Sequence, residues 1–190
     1  MPIEIEVKMR LSDRKSLEAT LAQVGGQRGP LIEQSNWIFD TAQHDLRRAG
    51  QGLRVRSETH IAQYDPVVTI AHKGPKMPGP IKKRQETELQ VDSVDHAVQL
   101  LEALGFVCIL QFEKRRLRWQ LDDCLVEIDT IAQLGDFVEI EGPSEHSVMA
   151  VRRKLVLSNE TLIQQSYAGL IQTHLEEHGI KTPSLLFKSS

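Results

Sequence analysis

The stretch that decides the fold of this chain is Ile3-Glu4-Ile5-Glu6-Val7-Lys8-Met9-Arg10-Leu11. Successive side chains of a β-strand alternate between its two faces, so this stretch predicts a strand with one apolar face and one ionic face. The two glutamates stand about 6–7 Å apart, and at an effective dielectric constant of about 20 they repel each other by about 2–3 kcal/mol. The pattern indicates either a face exposed to solvent, as in many antiparallel sheets, or a face that binds a cation.

The composition predicts a single soluble domain in a reducing, cytoplasmic environment. The chain has 190 residues, of which 23 are basic and 26 acidic, with a formal net charge of −3. This length suits one domain with a sizeable core, and the balanced charge argues against nucleic-acid binding, which needs a basic excess. Cys108 and Cys124 lie in apolar stretches without metal-ligand spacing, so we expect two buried free thiols. The first strand begins at Ile3 and no apolar run approaches a membrane span, so we expect neither a signal peptide nor a membrane segment.

Five further stretches alternate like strands and carry ionic side chains on one face only. Within most of them the acids and the bases form separate groups. These groups are Arg54 and Arg56; Lys82, Arg84, Glu86 and Glu88; Lys114, Arg116 and Arg118; Glu127 and Asp129; and Glu139 and Glu141.

Amphipathic helices are predicted after the first strand, over 92–105 and from Pro143 onward. Ser12 or Asp13 can cap the first helix. In the last region an apolar stripe assigns Tyr167 to the core, and this stripe consists of Leu162, Ile163, Tyr167, Leu170 and Ile171. We expect one domain over 1–179 and a C-terminal tail over 180–190.

A weak internal repeat links two parts of the chain. The pattern Glu4-x-Glu6-x-Lys8 followed by a helix is similar to Glu86-x-Glu88-x-Gln90 followed by a helix. The two halves are either copies of one strand–helix–strand unit or two amphipathic segments that happen to be similar.

The ionic faces predict a sheet that closes on itself. The helices have to bury the apolar faces of the strands, so the ionic faces meet on the other side of the sheet and form a polar tunnel. Closure also removes the exposed strand edges of a large antiparallel sheet. The alternative is an open sheet with its ionic face in solvent, but solvated faces usually mix the two signs of charge.

A tunnel with paired carboxylates suits a divalent metal ion. Hard oxygen ligands indicate Mg²⁺ or Mn²⁺, which often bridge protein carboxylates and substrate phosphates. Arginine and lysine side chains supply the contacts to a polyphosphate. A metal ion together with a cationic lining is what phosphoryl or nucleotidyl transfer needs, because this catalysis depends on positioning and charge stabilisation.

An ordered set of motifs resembles the CYTH superfamily, the triphosphate tunnel metalloenzymes. The set comprises Glu4-x-Glu6-x-Lys8, Leu-Arg-Val-Arg, His-Lys-Gly-Pro, Arg-x-Glu-x-Glu, Lys-x-Arg, Ile-Asp and Gly-Asp-Phe-Val-Glu-Ile-Glu, and it runs from Ile3 to about Leu175. The resemblance implies an α+β fold: a closed eight-stranded antiparallel β tunnel (barrel) with a polar lumen and helices packed outside. It also implies one of three activities, those of class IV adenylate cyclases, thiamine triphosphatases and inorganic triphosphatases.

The resemblance also implies roles for individual residues. The metal-binding acids correspond to Glu4, Glu6, Asp129, Glu139 and Glu141. The triphosphate ligands correspond to Lys8, Arg54, Arg56, Lys73, Arg84, Lys114 and Arg116. The residues expected to act in catalysis are Glu6, Lys8, Lys114 and Arg116.

Three functions remain open from the sequence. The first is a class IV adenylate cyclase that uses Mg²⁺ or Mn²⁺ to convert ATP to 3′,5′-cyclic AMP and pyrophosphate. The second is a triphosphatase that hydrolyses thiamine triphosphate, tripolyphosphate or a nucleoside triphosphate, and the third is a non-catalytic sensor of nucleotide or polyphosphate. We expect a small-molecule triphosphate as the partner, with no nucleic acid and no membrane; the sequence is also compatible with a homodimer.

Overall fold

Eight antiparallel strands form a closed barrel in the computed structural model, which describes residues 3–60 and 65–188. The strands are β1 (Ile3–Arg10), β2 (Gln27–Asp40), β3 (Gly52–His60), β4 (Val67–Lys73), β5 (Lys82–Val91), β6 (Val107–Leu121), β7 (Cys124–Ile131) and β8 (Gly135–Glu141). Their order around the barrel is β2-β3-β4-β5-β1-β8-β7-β6, and β6 pairs with β2 to close it. The prediction of a closed antiparallel tunnel is therefore confirmed.

Three helices bury the apolar outer faces of the strands. Helices α1 (Arg14–Gln23) and α4 (Glu145–Lys154) cover β1, β6, β7 and β8, where fully buried Met9 and Ile140 lie in the shared core. Helix α3 (Val94–Ala103) covers β2, β3 and β4. Asp13 caps α1, since its carboxylate accepts a hydrogen bond from the backbone N–H of Ser16 at 3.0 Å. These outer helices turn the ionic faces inward.

Helix α5 (Tyr167–Glu177) covers one end of the barrel instead. The strand residues beneath it lie on the same faces as the ionic side chains, two or four positions further along. The contact joins Tyr167, Ile171 and Leu175 of the helix to Leu110, Phe112, Ile131 and Phe137 of the strands. The helix begins only at Tyr167, after the capping residue Ser166, so the prediction that Leu162 and Ile163 are helical is wrong. The backbone N–H of Ile163 donates to the Lys8 carbonyl of β1 at 2.8 Å instead.

A short helix, α2 (Asp45–Arg48), lies between β2 and β3. The buried carboxylate of Asp40 holds it in place, since it accepts hydrogen bonds from the backbone N–H groups of Leu46 at 2.9 Å and Arg47 at 3.0 Å. Because β2 ends and β3 and β6 begin at the same end of the antiparallel barrel, α2 lies beside the end that α5 covers.

The strand order has the symmetry that the internal repeat predicts. β1 pairs with β5 and β2 pairs with β6. Adding four to each strand number reproduces the order around the barrel in the opposite direction. The arrangement therefore favours two copies of one unit over two unrelated amphipathic segments.

The C-terminal segment contacts the barrel through a strand of two residues, β9 (Ser184–Leu185), which pairs in parallel with β6. Leu185 is buried beneath α5, whereas Leu186 is 40% exposed. Within 3–60 and 65–188, no helix is long and apolar enough to span a membrane.

Only one of the two cysteines is buried. Cys124 is fully buried, but Cys108 is exposed, so the prediction of two buried thiols is wrong for Cys108. Cys108 lies at the rim of the barrel, where the register between β2 and β6 shifts beside Ile38 and Phe39. There it lines a shallow, open surface pocket beside Val94 and Val98 of α3 and stays exposed.

Candidate active site

The ionic faces of the strands enclose a cavity of about 920 Å³ in the barrel interior. Each of the six ionic strand faces predicted from the alternation contributes side chains to the wall of this cavity, from Glu4 on β1 to Glu141 on β8. The alternative of an open sheet with a solvated ionic face is therefore excluded. All the predicted site residues line this cavity except Asp129, whose side chain is fully buried behind its ion pairs.

Three glutamates converge at one side of the cavity, and we call them the acid cluster: Glu4, Glu6 and Glu141. Each offers a carboxylate oxygen, and these oxygens all lie within 4.8 Å of one another. The register of the barrel produces this meeting, because Glu6 is directly opposite Glu141 in the β1–β8 pair, and Glu4 is two residues from Glu6 on the same face. The residues of the cluster are thus far apart in the sequence, on the first and the eighth strand.

The electrostatics of the acid cluster favour a cation. Burial raises the pKa of Glu6, and the charge of Glu139 raises it further. Burial also raises the pKa of Glu141 to about 7, with the charges of Glu4 and Glu127 as the next causes. Among the described residues, Glu141 has no ion pair. A divalent cation would relieve the repulsion, and three carboxylates are a hard oxygen donor set that suits Mg²⁺ or Mn²⁺.

Two of the five acids expected to bind metal lie elsewhere, in a group we call the ion-pair cluster: Lys114, Arg116, Asp129 and Glu139. Asp129 accepts hydrogen bonds from Arg116 at 2.7 and 2.6 Å and from Lys114 at 3.0 Å. Glu139 accepts one from Arg116 at 2.6 Å. The structure thus pairs these two acids with predicted phosphate ligands, and neither carboxylate is one of the three that converge in the acid cluster.

The other predicted triphosphate ligands are also paired with acids, all of which line the cavity except Glu58. Lys73 bonds to Glu4 at 2.8 Å and to Glu86 at 2.5 Å. The remaining pairs are Lys8 with Glu139 at 3.3 Å, Arg84 with Glu4 at 3.0 Å, Arg54 with Glu88 at 3.4 Å, and Arg56 with Glu58 at 3.2 Å. Each cation is therefore held in place by an anion that a phosphate group could replace.

Burial lowers the pKa values of Lys8 and Lys114 in the cavity wall. The pKa of Lys114 falls to about 7, because the side chain is desolvated and lies beside Arg116. Burial also lowers the pKa of Lys8, and the nearby charge of Glu139 acts in the opposite direction. An anion bound in the cavity would favour the charged forms of both lysines.

Several residues of the cavity wall carried no predicted role, and Lys82 and Tyr167 are two of them. Lys82 is buried, forms an ion pair with Glu6 and lies opposite it in the β1–β5 pair. Its place on the ionic face of β5 was a usable signal. Tyr167 was assigned to the core, yet its ring lines the cavity and lies 3.7 Å from the ammonium nitrogen of Lys8 and 4.7 Å from that of Lys114. Its helical spacing did not distinguish this position from an ordinary core position.

A family model described as the CYTH domain matches residues 2–167. The chain belongs to the CYTH domain family. This CYTH domain is 26% identical to adenylate cyclase CyaB of Aeromonas hydrophila, a match that covers 95% of each chain. It is 25% identical to a protein of Methanocaldococcus jannaschii provisionally named an adenylate cyclase, over 88% of this chain and 98% of that protein.

Solved structures share the fold of this CYTH domain. The PH1819 protein of Pyrococcus horikoshii has a TM-score of 0.79 at 23% identity, over 90% of this chain and 99% of that chain. The Hippeastrum protein HpAC1, described with a dominant triphosphatase activity, has a TM-score of 0.68 at 19% identity, over 95% of this chain and 98% of that chain. CYTH proteins form the triphosphate tunnel family and are in general metal-dependent.

Proposed function

We propose that this protein is a cytoplasmic, metal-dependent enzyme that binds a triphosphate inside the barrel, and that it is a class IV adenylate cyclase. The reaction would convert ATP to 3′,5′-cyclic AMP and pyrophosphate through attack of the ribose 3′-hydroxyl on the α-phosphorus. The observation that carries the proposal is the position of the acid cluster in the same cavity as seven basic side chains expected to bind phosphate.

The acid cluster is the proposed metal site. Glu4, Glu6 and Glu141 would hold Mg²⁺ or Mn²⁺, which supplies polarisation of a phosphate group when bound. In the protein without substrate, Asp129 and Glu139 hold Lys114 and Arg116 in position. We propose that they complete the metal site once phosphate groups have taken over these cations.

The basic side chains are proposed to bind the phosphate chain. Arg116 makes a forked contact with Asp129, and the same guanidinium geometry matches two phosphate oxygens. Lys8 and Lys114 stand together at the ring of Tyr167, where two ammonium groups would neutralise charge on the departing pyrophosphate. The other proposed ligands are Arg54, Arg56, Lys73 and Arg84.

Two observations bear on the choice of reaction. The Aeromonas relative is named an adenylate cyclase and matches almost the whole chain, which supports the cyclase. The Hippeastrum neighbour is described with a dominant triphosphatase activity, so hydrolysis of the terminal phosphate is the second candidate. The two reactions can use the same cavity, but they attack different atoms of the phosphate chain: the α-phosphorus in the cyclase and the terminal phosphorus in the triphosphatase.

The test is a turnover assay with ATP, thiamine triphosphate and tripolyphosphate, each with Mg²⁺ and with Mn²⁺, with products read by phosphorus NMR. Cyclic AMP and pyrophosphate from ATP are the expected products. Orthophosphate without cyclic AMP would exclude the cyclase in favour of the triphosphatase. No turnover of any substrate would exclude both and favour a non-catalytic sensor. We expect Glu6→Gln to lower turnover, because it removes a proposed metal ligand. The control is Glu33→Gln, because Glu33 is exposed and pairs with Arg115 on the outside of the barrel.

A further inference from the structure

The loop between β4 and β5, residues 74–81, brings a further lysine to the cavity. Lys76 of this loop lines the cavity wall. Two backbone hydrogen bonds tie the loop to β5: the N–H of Gly74 donates to the carbonyl of Gln85 at 2.9 Å, and that of Met77 donates to the carbonyl of Lys83 at 2.8 Å. Because Lys76 lies between the two donors, the fold of the loop fixes its place at the wall.

Lys76 differs from the seven predicted triphosphate ligands in its partner. Each of those seven cations pairs with a carboxylate, whereas Lys76 forms no ion pair within 3–60 and 65–188. Its ammonium group donates a hydrogen bond to the backbone carbonyl of Gln164 at 2.5 Å. A carbonyl carries no net charge, and an ammonium group has three N–H donors. In the part of the chain that the structure describes, no paired acid therefore balances the charge of Lys76.

The charges around Lys76 are mostly positive. Burial lowers the pKa of Lys76, and the charges of Lys82 and Arg84 are the next causes. The charge of Lys8 lowers this pKa further, whereas that of Glu6 acts in the opposite direction. Three of these four charges are positive, so a bound polyanion would stabilise the ammonium group.

The segment before α5 places Lys76 beside Lys8. The ammonium group of Lys8 donates to the carbonyl of Gln165 at 3.1 Å, and the next carbonyl back along the chain, that of Gln164, accepts from Lys76. The side-chain amide of Gln164 also donates to the carbonyl of Pro80 in the loop at 2.6 Å. Two lysines from distant parts of the chain are thus bonded to consecutive carbonyls at the cavity wall.

We infer that Lys76 is a further basic ligand of the phosphate chain, and that its ammonium group moves from the Gln164 carbonyl to a phosphate oxygen when the substrate binds. A charged phosphate oxygen accepts a stronger hydrogen bond from an ammonium group than a neutral carbonyl does. The flexible four-carbon stem of lysine permits this exchange without a change in the backbone. The inference rests on the proposed function, because it assumes that the phosphate chain lies in the cavity beside Lys8. It adds a ligand from a loop, outside the ionic strand faces.

The test is the variant Lys76→Met, which removes the charge and keeps an unbranched side chain. The probe is the bis-methylene analogue of tripolyphosphate with Mg²⁺, because carbon replaces both bridging oxygens and no phosphate group can be transferred. In calorimetric titration the affinity of Lys76→Met should be about ten-fold lower than that of the native protein, since one hydrogen bond between charged groups is lost. Lys76 is exposed, so this difference should shrink as the salt concentration rises.

Two further variants separate a phosphate contact from an effect on the loop. Lys76→Arg keeps the charge and should bind the analogue within about three-fold of the native protein. Lys83→Met is the matched control, because Lys83 adjoins the same loop but pairs with Glu145, and neither residue lines the cavity. Equal affinities of Lys76→Met and Lys83→Met would overturn the inference. Equal losses in Lys76→Met and Lys76→Arg would also overturn it, since the contact with Gln164 and not the charge would then matter.

The turnover assay with ATP, thiamine triphosphate and tripolyphosphate separates this inference from the proposed function. Absence of turnover, combined with weaker binding of the analogue by Lys76→Met, would refute the enzyme and support Lys76 as a phosphate ligand. Turnover, combined with equal binding of the analogue by the native protein and Lys76→Met, would support the enzyme and refute the role of Lys76.

Discussion

The acid cluster and the ion-pair cluster lie in one barrel and differ in how their charges are balanced. In the ion-pair cluster, burial alone would raise the pKa values of Asp129 and Glu139, but the neighbouring cations outweigh it and lower both. In the acid cluster, burial and neighbouring acids together raise the pKa values of Glu6 and Glu141. Burial raises the pKa of a carboxylate in both clusters, and the comparison teaches that the direction of the net shift depends on whether its neighbours are bases or acids. Both acids of the ion-pair cluster have basic partners, whereas in the acid cluster Glu4 and Glu6 have them and Glu141 has none among the described residues.

The largest expected effect is on stability, from the variant Arg116→Met in the ion-pair cluster. Removing this guanidinium leaves Asp129 and Glu139 without their strongest partner in the barrel interior, which should cost about 3–5 kcal/mol of unfolding free energy. Urea denaturation measures the loss. The neighbouring variant Arg115→Met is the control, because the exposed pair with Glu33 contributes at most about 1 kcal/mol. Similar losses for the two variants would contradict the distinction between the inner and outer faces of β6.

The next effect is on activity, from Glu141→Gln in the acid cluster. Changes to residues that only orient metal ligands already cost 10–100-fold in metal affinity or activity, so loss of a proposed ligand should lower metal-dependent turnover at least about 100-fold. The unfolding free energy should not fall, because the change removes a repelling carboxylate. A steady-state assay together with urea denaturation would show both effects. A variant that loses activity and stability together would place Glu141 among structural residues.

A smaller effect is the pH dependence of stability in metal-free protein. The pKa of Glu141 is raised from 4.5 to about 7 in the folded state, so its contribution to stability is fully present below about pH 4.5 and is lost as the pH rises towards 7. Glu141→Gln lacks this loss, so its melting temperature relative to the native protein should rise between about pH 5 and pH 8. Calorimetric scans with chelator measure the difference. Saturating Mg²⁺ should raise the melting temperature of the native protein and not of Glu141→Gln, and equal shifts would count against the metal site.

The smallest effect concerns Tyr167, which touches both Lys8 of β1 and Lys114 of the ion-pair cluster. Tyr167→Phe keeps the ring beside both lysines, so it should leave the affinity for ATP unchanged. Tyr167→Leu removes the cation–π contacts, which contribute about 1–2 kcal/mol when desolvated, and should lower the pKa of Lys114 below about 7. The pH profile of ATP binding would show this as a loss of affinity that begins at lower pH. Equal pH profiles for the two variants would show that the ring of Tyr167 does not contribute to ATP binding.

The sequence by itself determined which face of each strand is ionic, and from that the closed barrel with a charged interior. This was possible because the alternation of side chains along a strand is a local property with a period of two residues. The cap of α1 was also predictable from neighbouring residues, since the sequence offered Ser12 or Asp13 and the structure uses Asp13. The family resemblance also followed from motifs that are contiguous in the chain.

Only the tertiary structure decided which charges meet. Glu6 reaches Glu141 through the register of β1 on β8, whereas Asp129 is held by Arg116 through the register of β6 on β7. The position of α5 made Tyr167 a neighbour of two lysines. The register of a closed barrel depends on the pairing of all its strands at once, and for this reason no local pattern could predict the division of the interior into two charge clusters.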